Sequence, residues 1–453
     1  MTRAALFALL ILAPAVRADD WPQWMGPARD GVWAETGVLD KFPKSGPKLL
    51  WQTPVGGGYS GPAVSGGRVY VLDRVLAKGA KNPEDPFDVK MKVPGTERVL
   101  CLDARTGQEV WKHEYPCAYQ VSYAAGPRCT PTVHAGKVYA LGTMGDLYCL
   151  DAATGKELWH KSLPTAYKAK VPQWGYCGHP LVYKNLVIVT AGGDAVAVAL
   201  DKDTGAEKWR ALTSPDLGYC PPTLVRANGT DQLAIWHGHA LHALDPLTGK
   251  EHWKVPLEPL YAMSIMAPRQ HGDRLFAAGI GGAGVVLKLT GDKPEVLWHE
   301  TADKGSDRKP KPRGLYPVNM TPLIEGGVVY GVDQPGMLRA VELDTGKKLW
   351  FTHKPVIGRE EDEDYKGAGS GTAFLVKNGP RYFLFAETGE LVIAELSPEP
   401  LPKGYKELGR AKLLAPTGTA FGRKVLWSHP AFAHRCVFAR NDTELRCYSL
   451  ATE

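Results

Sequence analysis

The stretch Thr-Gly-Lys-Glu-Leu-Trp at residues 154–159 decides the fold, because close copies of it recur along the chain. The shared pattern Thr-Gly-x-x-x-Trp occupies residues 106–111, 154–159, 204–209, 248–253 and 345–350. The first four copies are 44 to 50 residues apart, and short runs of alternating apolar and polar residues precede them. A period of about 40 to 50 residues built from strands and turns is typical of β-propeller blades.

One full unit, residues 131–159, reads as four short strands, A to D, with Gly, Asn or Asp in the gaps, as antiparallel hairpins require. The A strands are expected to begin near Pro62, Pro131, Pro180, Pro222, Pro268, Pro322, Thr372 and Pro430. The sequence therefore predicts an all-β fold, an eight-bladed β-propeller of four-stranded antiparallel blades.

The last unit ends after its third strand, so its fourth strand must come from elsewhere in the chain. Residues 49–51, Leu-Leu-Trp, are the expected donor, because an N-terminal strand would close the ring and remove two open sheet edges. The repeat tryptophans are interpreted as rings wedged between sheets, each contributing about 1.5 to 3 kcal/mol of burial. These structural residues are Trp51, Trp111, Trp159, Trp209, Trp253 and Trp350, and no catalytic residue is assigned.

The N-terminal segment predicts export. Arg3 precedes an apolar run at residues 4–13, and small residues follow at 16–18, as in a secretory signal. We expect a signal peptide at 1–18, an N-terminal extension at 19–48 and a single propeller domain at 49–453. No later stretch resembles a membrane span and no cysteine follows the cleavage point to take a lipid. A periplasmic or secreted protein without a membrane anchor is expected.

The overall charge argues against a nucleic-acid partner. The formal net charge of +6 is spread along the chain, and the local charged runs at 304–313 and 359–364 are typical of solvated loops. The 50 glycines and 36 prolines suit short strands and many turns. We expect a monomer.

One rim of the ring is expected to carry function. Because strands alternate in direction, the D-to-A and B-to-C loops share one rim, which would hold the insertions at 76–97, 303–314 and 356–369. Aromatic, His and Arg side chains on these loops would meet at the channel mouth as a concave ligand pocket, or would only pack the loops together. The candidate ligand-binding residues are Tyr59, Tyr123, Arg128, Trp174, Tyr176, His179, Tyr219, Arg269, Asn319, Trp427 and His429.

Soft side chains on the same rim raise the alternative of a copper or zinc site. Cys129 and Cys220 lie two residues before A-strand prolines, and His237 and His239 lie in one B-to-C loop. Buried cysteines are also common as small core residues, so a purely structural role stays open.

One pair of cysteines is a candidate disulfide. If the last hairpin turns at Asn441 and Asp442, antiparallel pairing places Cys436 directly across from Cys447. Export would permit the bond.

The units at 150–159 and 244–253 resemble the tryptophan-docking repeat of pyrroloquinoline quinone (PQQ) propellers, and the resemblance covers nearly the whole mature chain. The segment Trp-Pro-Gln-Trp-Met-Gly-Pro-Ala-Arg-Asp-Gly at 21–31 resembles the head of exported bacterial PQQ-repeat proteins. The repeat specifies the fold more strongly than the activity.

Two branches of this BamB-like and quinoprotein-like superfamily suggest different functions. The quinoprotein pattern implies PQQ stacked on a vicinal Cys-Cys disulfide above a calcium ion, but this sequence has no adjacent cysteines. The outer-membrane assembly branch implies a binding scaffold with a lipidated cysteine, which is also missing. We expect a non-catalytic scaffold that binds an unidentified protein or small molecule at the channel mouth. The alternative is a PQQ- and calcium-dependent oxidoreductase of alcohols or sugars.

Overall fold

The computed structural model describes residues 19–303 and 313–452, and its strands form eight four-stranded antiparallel sheets, as predicted. The first strand, β1 (Lys48–Pro54), belongs to the last blade. Blade 1 contains β2 (Ala63–Ser65), β3 (Arg68–Leu76), β4 (Gly95–Asp103) and β5 (Glu109–Pro116), and blade 2 contains β6 (Thr132–His134), β7 (Lys137–Leu141), β8 (Asp146–Asp151) and β9 (Glu157–Ser162). Blade 3 contains β10 (Leu181–Tyr183), β11 (Leu186–Gly192), β12 (Ala195–Asp201) and β13 (Glu207–Ala211), and blade 4 contains β14 (Thr223–Ala227), β15 (Thr230–His237), β16 (Ala240–Leu244) and β17 (Glu251–Pro256).

The second half of the ring repeats this plan. Blade 5 contains β18 (Arg269–His271), β19 (Arg274–Gly279), β20 (Ala283–Lys288) and β21 (Glu295–Glu300), and blade 6 contains β22 (Leu323–Glu325), β23 (Val328–Val332), β24 (Leu338–Glu342) and β25 (Lys348–Thr352). Blade 7 contains β26 (Ala373–Asn378), β27 (Arg381–Ala386), β28 (Glu390–Leu396) and β29 (Tyr405–Lys412), and blade 8 contains β32 (Ala431–Ala433), β33 (Cys436–Arg440) and β34 (Glu444–Ser449) together with β1. A separate hairpin of β30 (Gly418–Ala420) and β31 (Arg423–Val425) lies between blades 7 and 8 in the sequence. The A strands of neighbouring blades are in contact, as β2 is with β6 and β32, and they line the central channel.

Strand composition follows position in the blade. The C strand β12, Ala-Val-Ala-Val-Ala-Leu-Asp, is buried along nearly its whole length because blades cover both of its faces. In the D strand β13, Glu-Lys-Trp-Arg-Ala, only Trp209 is buried, since this strand forms the outer edge. The two middle strands therefore read as apolar runs and the outer strand as a charged one.

The repeated Thr-Gly-x-x-x-Trp motif joins each blade to the next. The indole Nε1–H of Trp51 donates to the carbonyl oxygen of Ala104 at 2.9 Å, and Trp111 donates to Ala152 at 3.0 Å. A Cβ placed on Gly107 would lie 2.5 Å from the Trp51 ring. Glycine is required there because the ring of one blade packs directly on the turn of its neighbour.

Strand β1 closes the ring by pairing with β34, as expected from the sequence. Trp51 pairs with Cys447 and Gln52 with Arg446, and β1 forms the outer strand of the sheet β1-β34-β33-β32. The head and tail of the described chain thus form one blade, in which β1 covers the edge of β34.

The register of the last hairpin differs from the prediction. Cys436 pairs with Ser449, and Cys447 pairs with Phe438, because the turn lies one residue later than expected. The Asn441 Oδ1 accepts hydrogen bonds from the backbone N–H of Thr443 and Glu444, which sets the turn. The two thiols are free and buried in the structure. The disulfide remains a prediction, which peptide mapping of the protein purified under oxidising conditions would test.

Few helices interrupt the strands. In the part of the chain that the structure describes, the short helices are α1 (Leu163–Tyr167), a 3-10 turn at Leu260–Ala262 and α2 (Lys354–Ile357), all in D-to-A connections. Within residues 19–303 and 313–452, no helix is long and apolar enough to cross a membrane. The predicted signal peptide and most of the predicted insertion at 303–314 lie outside the described residues.

The N-terminal extension crosses the central channel. Trp21 forms a β-bridge with Val64 in blade 1, and Val32 forms one with Lys377 in blade 7. Between these bridges, the segment at residues 21–32, here called the head plug, packs against the innermost strands. It therefore closes the channel beneath the rim that carries the D-to-A loops.

Candidate functional site

A cavity of about 470 Å³ opens at the centre of the predicted rim. All eight D-to-A connections, three B-to-C loops and the head plug contribute side chains to it. The lining residues are Trp24, Tyr59, Phe87, Tyr123, Arg128, Gln173, Trp174, Cys177, His179, Tyr219, Pro221, Tyr261, Met263, Ile265, Ile280, Val318, Asn319, Met320, Thr321, Gln334, Ser370, Phe421, Trp427 and His429. Side chains that are far apart in sequence thus converge on one site.

Nine of the eleven candidate ligand residues line this cavity, and Tyr176 and Arg269 do not. Tyr176 is buried in the core between blades 2 and 3, where its hydroxyl donates to the Ala191 carbonyl oxygen at 2.8 Å. Arg269 points towards the head plug and donates to the carbonyl oxygens of Arg29 at 3.0 Å and Asp30 at 2.8 Å. Its role is to hold the plug in place.

The head plug supplies the cavity with Trp24, a residue that sequence reasoning missed. Its ring stacks on His179 with centroids 4.8 Å apart and an interplanar angle of 13°. Its indole Nε1–H donates to His429 Nε2 at 3.3 Å. Because Trp24 is only 4% exposed, it forms a packed floor. The one signal in the sequence was the aromatic head at 21–31, which precedes the first strand.

Arg29 fixes the position of this floor. Its guanidinium donates to the carbonyl oxygen of Pro180 at 2.8 Å and to that of His179 at 3.3 Å, and lies 5.5 Å from the centroid of the Trp24 ring. Burial lowers the pKa of Arg29 to about 10, so the group stays charged at neutral pH. The floor is therefore attached to blade 3 through backbone carbonyls.

The two histidines at the floor are neutral at physiological pH. Burial lowers the pKa of His429 to about 3. Burial, followed by the charges of His429 and Arg29, holds the pKa of His179 well below its usual range. His179 Nδ1 accepts a hydrogen bond from the Thr130 backbone N–H at 2.9 Å, which requires that this nitrogen carry no proton.

We expect acid to destabilise the protein through these histidines. A histidine that is neutral when folded takes up a proton only on unfolding, so stability falls as pH drops below about 6.5, by about 1.4 kcal/mol per pH unit for each group. Urea denaturation between pH 7.5 and 5 should therefore show a smaller loss in His429→Gln than in the wild type. His134→Gln is the matched control, since His134 is exposed in blade 2. Equal pH slopes in all three proteins would contradict the assignment.

The cavity wall has two chemically different halves. The connections around blades 8, 1, 2 and 3 supply most of its aromatic rings, including the pairs Tyr123 with Trp427, 5.7 Å apart, and Trp174 with Tyr219, 5.6 Å apart. The connections around blades 4 to 7 supply mainly aliphatic, amide and hydroxyl side chains. These are Met263, Ile265, Ile280, Val318, Asn319, Met320, Thr321, Gln334 and Ser370, with Tyr261 as an aromatic exception.

The charged side chain in the described lining of the cavity is positive. Arg128 is the single charged residue among the lining residues of the described chain, which include no Asp or Glu. Its guanidinium donates to the carbonyl oxygens of Ser122 at 2.8 Å, Tyr123 at 2.7 Å and Gly126, and lies 5.2 Å from the centre of the Tyr59 ring. The arginine both shapes the Ser122–Arg128 loop and gives the cavity a positive charge.

The candidate metal ligands do not line the cavity. Cys129 and Cys220 are buried, and each thiol lies near a backbone carbonyl oxygen. His237 Nε2 lies 2.9 Å from His242 Nε2, whereas His239 Nε2 lies 3.0 Å from a carboxylate oxygen of Asp216. In the described ranges, no three His, Cys, Asp or Glu side chains are grouped as a metal site would need. The copper or zinc proposal therefore gains no support from this geometry.

The cavity residues also do not fit calcium with PQQ as the quinoprotein pattern arranges them. Calcium prefers six to eight oxygen ligands that include carboxylates, and the side-chain oxygens of the described cavity lining are those of amides and hydroxyls. Among the described lining residues Cys177 is the one cysteine, so it has no neighbouring cysteine with which to form a vicinal disulfide. The same described residues include no carboxylate that could act as a general base.

Comparisons with known proteins agree with the fold. The quinohemoprotein alcohol dehydrogenase of Comamonas testosteroni superposes with a TM-score of 0.61 at 16% identity, covering 96% of this chain and 81% of that chain. A europium-containing methanol dehydrogenase gives 0.59 at 15% identity, with coverage of 93% and 89%. The computationally designed Ika8 protein gives 0.52 at 15% identity, with coverage of 89% and 100%. At these identities the likeness concerns the fold alone, and no curated protein matches the sequence.

A family model defines the relationship at the level of sequence. The model described as outer membrane protein assembly factor BamB, of the PQQ-repeat type, matches residues 95–352 and 238–391, together more than half of the chain. The matched region contains all five Thr-Gly-x-x-x-Trp copies, from residue 106 to residue 350. The chain therefore belongs to the PQQ-repeat β-propeller family of BamB-like and quinoprotein-like proteins.

Proposed function

We propose that this propeller is an exported, non-catalytic binding protein whose ligand occupies the central cavity. The observation that carries the proposal is the composition of the cavity, where side chains from all eight D-to-A connections meet and the described lining residues include no carboxylate. Concave, largely apolar sites with a few fixed polar groups are typical of small-molecule binding. Its volume of about 470 Å³ lies within the usual range of about 300 to 1,000 Å³ for such sites.

The floor and wall are preorganised for binding. Trp24 is fixed by His179 and His429, and Arg128 is held by three carbonyl oxygens. A ligand that enters such a site orders few additional side chains, which lowers the entropic cost of binding. Met263, Tyr261 and Phe421 are more exposed and surround the mouth, where a ligand would enter.

The alternative is a quinoprotein oxidoreductase, because the alcohol and methanol dehydrogenases that superpose on this chain share its fold. The donor set argues against it, because an oxidation that removes hydrogen from an alcohol needs a base to accept the hydroxyl proton. His179 accepts a hydrogen bond from the Thr130 backbone N–H and His429 accepts one from Trp24, and the described lining residues include no carboxylate that could act as the base instead.

A titration with PQQ in the presence and absence of calcium discriminates between the two functions. We expect calcium to leave the affinity for PQQ unchanged and expect no dye-linked oxidation of alcohols or sugars. Calcium-dependent micromolar binding accompanied by turnover would overturn the non-catalytic assignment. The matched variant is Met263→Trp, which should fill part of the cavity and weaken any ligand bound there. Native mass spectrometry of protein from the natural host would then identify a ligand that purifies with the wild type and not with this variant.

A further inference from the structure

Two buried polar side chains in the cavity wall form no hydrogen bond within the described part of the chain. Gln334 is 6% exposed and Ser370 is 8% exposed, and both line the cavity. Their backbone N–H groups are paired, whereas the Gln334 side-chain amide and the Ser370 hydroxyl bond to no described residue. Buried polar groups in folded proteins usually have a partner. Because these two groups face the open cavity, their partner is expected to be the ligand.

The two side chains belong to a patch that backbone contacts hold in place. The Ser370 backbone N–H donates to the Gln334 carbonyl oxygen at 2.8 Å. The Asn319 Nδ2 donates to the Ser370 carbonyl oxygen at 3.4 Å and to the Thr372 hydroxyl at 3.1 Å. These bonds join the B-to-C loop of blade 6 to the connections before blades 6 and 7. Asn319, Gln334 and Ser370, here called the amide patch, are therefore positioned by the fold itself.

The chemistry of the amide patch indicates which group would pair with it. A glutamine side chain has an oxygen that accepts next to an NH2 group that donates, and a serine hydroxyl can do either. An amide of the ligand has the same two functions side by side, so the two amides can form a pair of hydrogen bonds. A ketone or an ether offers acceptors only and would satisfy one half of the pair.

The charge next to the amide patch is compensated. The Asp333 Oδ1 accepts the backbone N–H groups of Tyr316 at 2.8 Å and of Gln334 at 3.0 Å. Its Oδ2 lies 2.8 Å from the Arg339 guanidinium, so the carboxylate that precedes Gln334 in the sequence is ion-paired. A neutral ligand group is therefore favoured over a charged one at this patch.

The arginine in the aromatic half of the wall is also offset. Burial raises the pKa of Tyr59 and that of Tyr123, and the negative charges of Asp442 and Asp85, respectively, add to these shifts. The positive charge of Arg128 opposes the shift of Tyr59. Carboxylates thus act on the same part of the lining as the arginine. The cavity therefore gives no strong preference to an anion.

Aliphatic side chains surround the amide patch. Ile280 and Val318 form a small apolar cluster with Leu260, and Met263 and Ile265 pack against it. All of these except Leu260 line the cavity. Val318 directly precedes the first residue of the amide patch, so the apolar and polar surfaces are continuous. A ligand that pairs with the patch would place hydrocarbon against this wall.

We propose that the amide patch binds an uncharged amide group of the ligand, and that an aliphatic part of the same ligand lies against Ile280 and Val318. The inference rests on the proposed binding function and goes further by naming the chemical class of the ligand, an aliphatic amide. Gln334 supplies one donor and one acceptor, and Ser370 supplies a hydroxyl beside them.

Three competitors of equal chain length test the proposal. Octanamide, 2-nonanone and octanoate share a heptyl chain on a carbonyl carbon and differ in the last group, which is an amino group, a methyl group or a charged oxygen. Each is titrated against the fluorescent probe N-phenyl-1-naphthylamine bound in the cavity. We expect octanamide to displace the probe at a concentration about fivefold or more below that of 2-nonanone, and also below that of octanoate.

Gln334→Met should remove this preference. Methionine has nearly the same volume and lacks the amide, so octanamide and 2-nonanone should then differ by less than about twofold. Since the Gln334 side chain bonds to no described residue, the variant should unfold at the same temperature as the wild type. Gln232→Met is the matched control, because Gln232 is 7% exposed but its Oε1 accepts the Trp253 indole N–H at 3.0 Å. It should lower the unfolding temperature and keep the preference for octanamide.

Ser370→Gly is a second variant that leaves Gln334 in place. Ser370 has a φ of 55°, which glycine adopts without strain, so the hydroxyl is lost while the backbone keeps its path. We expect binding of octanamide to weaken by about twofold to fivefold and that of 2-nonanone to change by less than about twofold.

Small molecules and peptides both carry amides, and the capped dipeptide acetyl-Leu-Leu-amide separates the two sources. Stronger displacement of the probe by the dipeptide than by octanamide assigns the patch to a peptide, and weaker displacement assigns it to a small-molecule amide. In both cases Gln334→Met must weaken the stronger competitor.

The outcomes separate the two proposals. If Met263→Trp weakens binding of the probe, but octanamide has no advantage over 2-nonanone or keeps it in Gln334→Met, the cavity binds ligands and the amide assignment is wrong. Tighter binding of octanoate than of octanamide would overturn the assignment as well. If Met263→Trp leaves binding of the probe unchanged, the proposed function fails together with the ligand class. Loss of the octanamide advantage in Gln334→Met, without loss of stability, supports the inference.

Discussion

Replacing Trp24 with alanine should lower the free energy of unfolding by about 3 to 5 kcal/mol and open the floor of the cavity. The ring is 4% exposed, stacks on His179 and donates a hydrogen bond to His429. Its removal deletes a large buried surface, and the surrounding blades cannot collapse into the space because the ring of eight sheets fixes their spacing. Urea denaturation followed by fluorescence of the remaining tryptophans measures the loss.

The effect is expected to be large because the head plug connects blades that are otherwise distant. The Val133 backbone N–H of blade 2 donates to the Pro22 carbonyl oxygen at 2.8 Å, and Arg29 donates to Pro180 of blade 3. Arg269 of blade 5 in turn donates to the Arg29 and Asp30 carbonyl oxygens. Displacing Trp24 loosens a segment that these contacts hold across the channel.

Trp174→Ala provides the comparison. Trp174 also lines the cavity, but it is partly exposed and stands at the wall rather than in the floor. We expect its replacement to cost less than about 1.5 kcal/mol, in line with substitutions away from a packed core. Equal losses in the two variants would show that the head plug contributes no more to stability than an ordinary loop side chain.

The repeat made the architecture and the location of the site predictable. Each copy of the motif contains a glycine on which the tryptophan ring of the preceding blade packs, as the ring of Trp111 packs on Gly155. The tryptophan of the same copy packs in turn on the next blade. This short-range rule fixes blade number and strand direction, and strand direction decides which loops share a rim. The convergence of Tyr59, Arg128 and Trp427 follows from that geometry.

The parts that could not be predicted depend on contacts that no local pattern encodes. Trp24 and Arg29 have no repeat equivalents, and their partners lie more than 100 residues away, as Pro180 does. Arg269 looked like a rim residue because it follows an A-strand proline, yet its side chain points to the plug. The register of the last hairpin depended on whether Asn441 or its neighbour began the turn. A shift of one residue there changed the partner of Cys436.

The closing strand offers the second large expected effect. Trp51→Ala should destabilise the fold by about 3 to 5 kcal/mol, comparable to other buried tryptophan deletions. The Trp51 ring is 7% exposed, donates to the Ala104 carbonyl oxygen at 2.9 Å and packs on Gly107 of blade 1. Unlike the other repeat tryptophans, it lies on a strand that reaches its sheet from the far end of the chain. Its loss should therefore weaken the β1–β34 pairing as well as the contact between blades.

Leu50→Ala is the matched control, because Leu50 lies beside Trp51 on the same strand and is 44% exposed. We expect this change to shift stability by no more than about 0.5 kcal/mol. Limited proteolysis should cleave Trp51→Ala near its N-terminus faster than Leu50→Ala, since release of β1 also frees the head plug that precedes it. If ring closure supports the cavity floor in this way, Trp51→Ala should also weaken binding of the fluorescent probe N-phenyl-1-naphthylamine to the cavity, although Trp51 does not line it. Unchanged probe binding in a destabilised Trp51→Ala protein would show that the cavity forms without the contribution of Trp51 to ring closure, which contradicts this prediction.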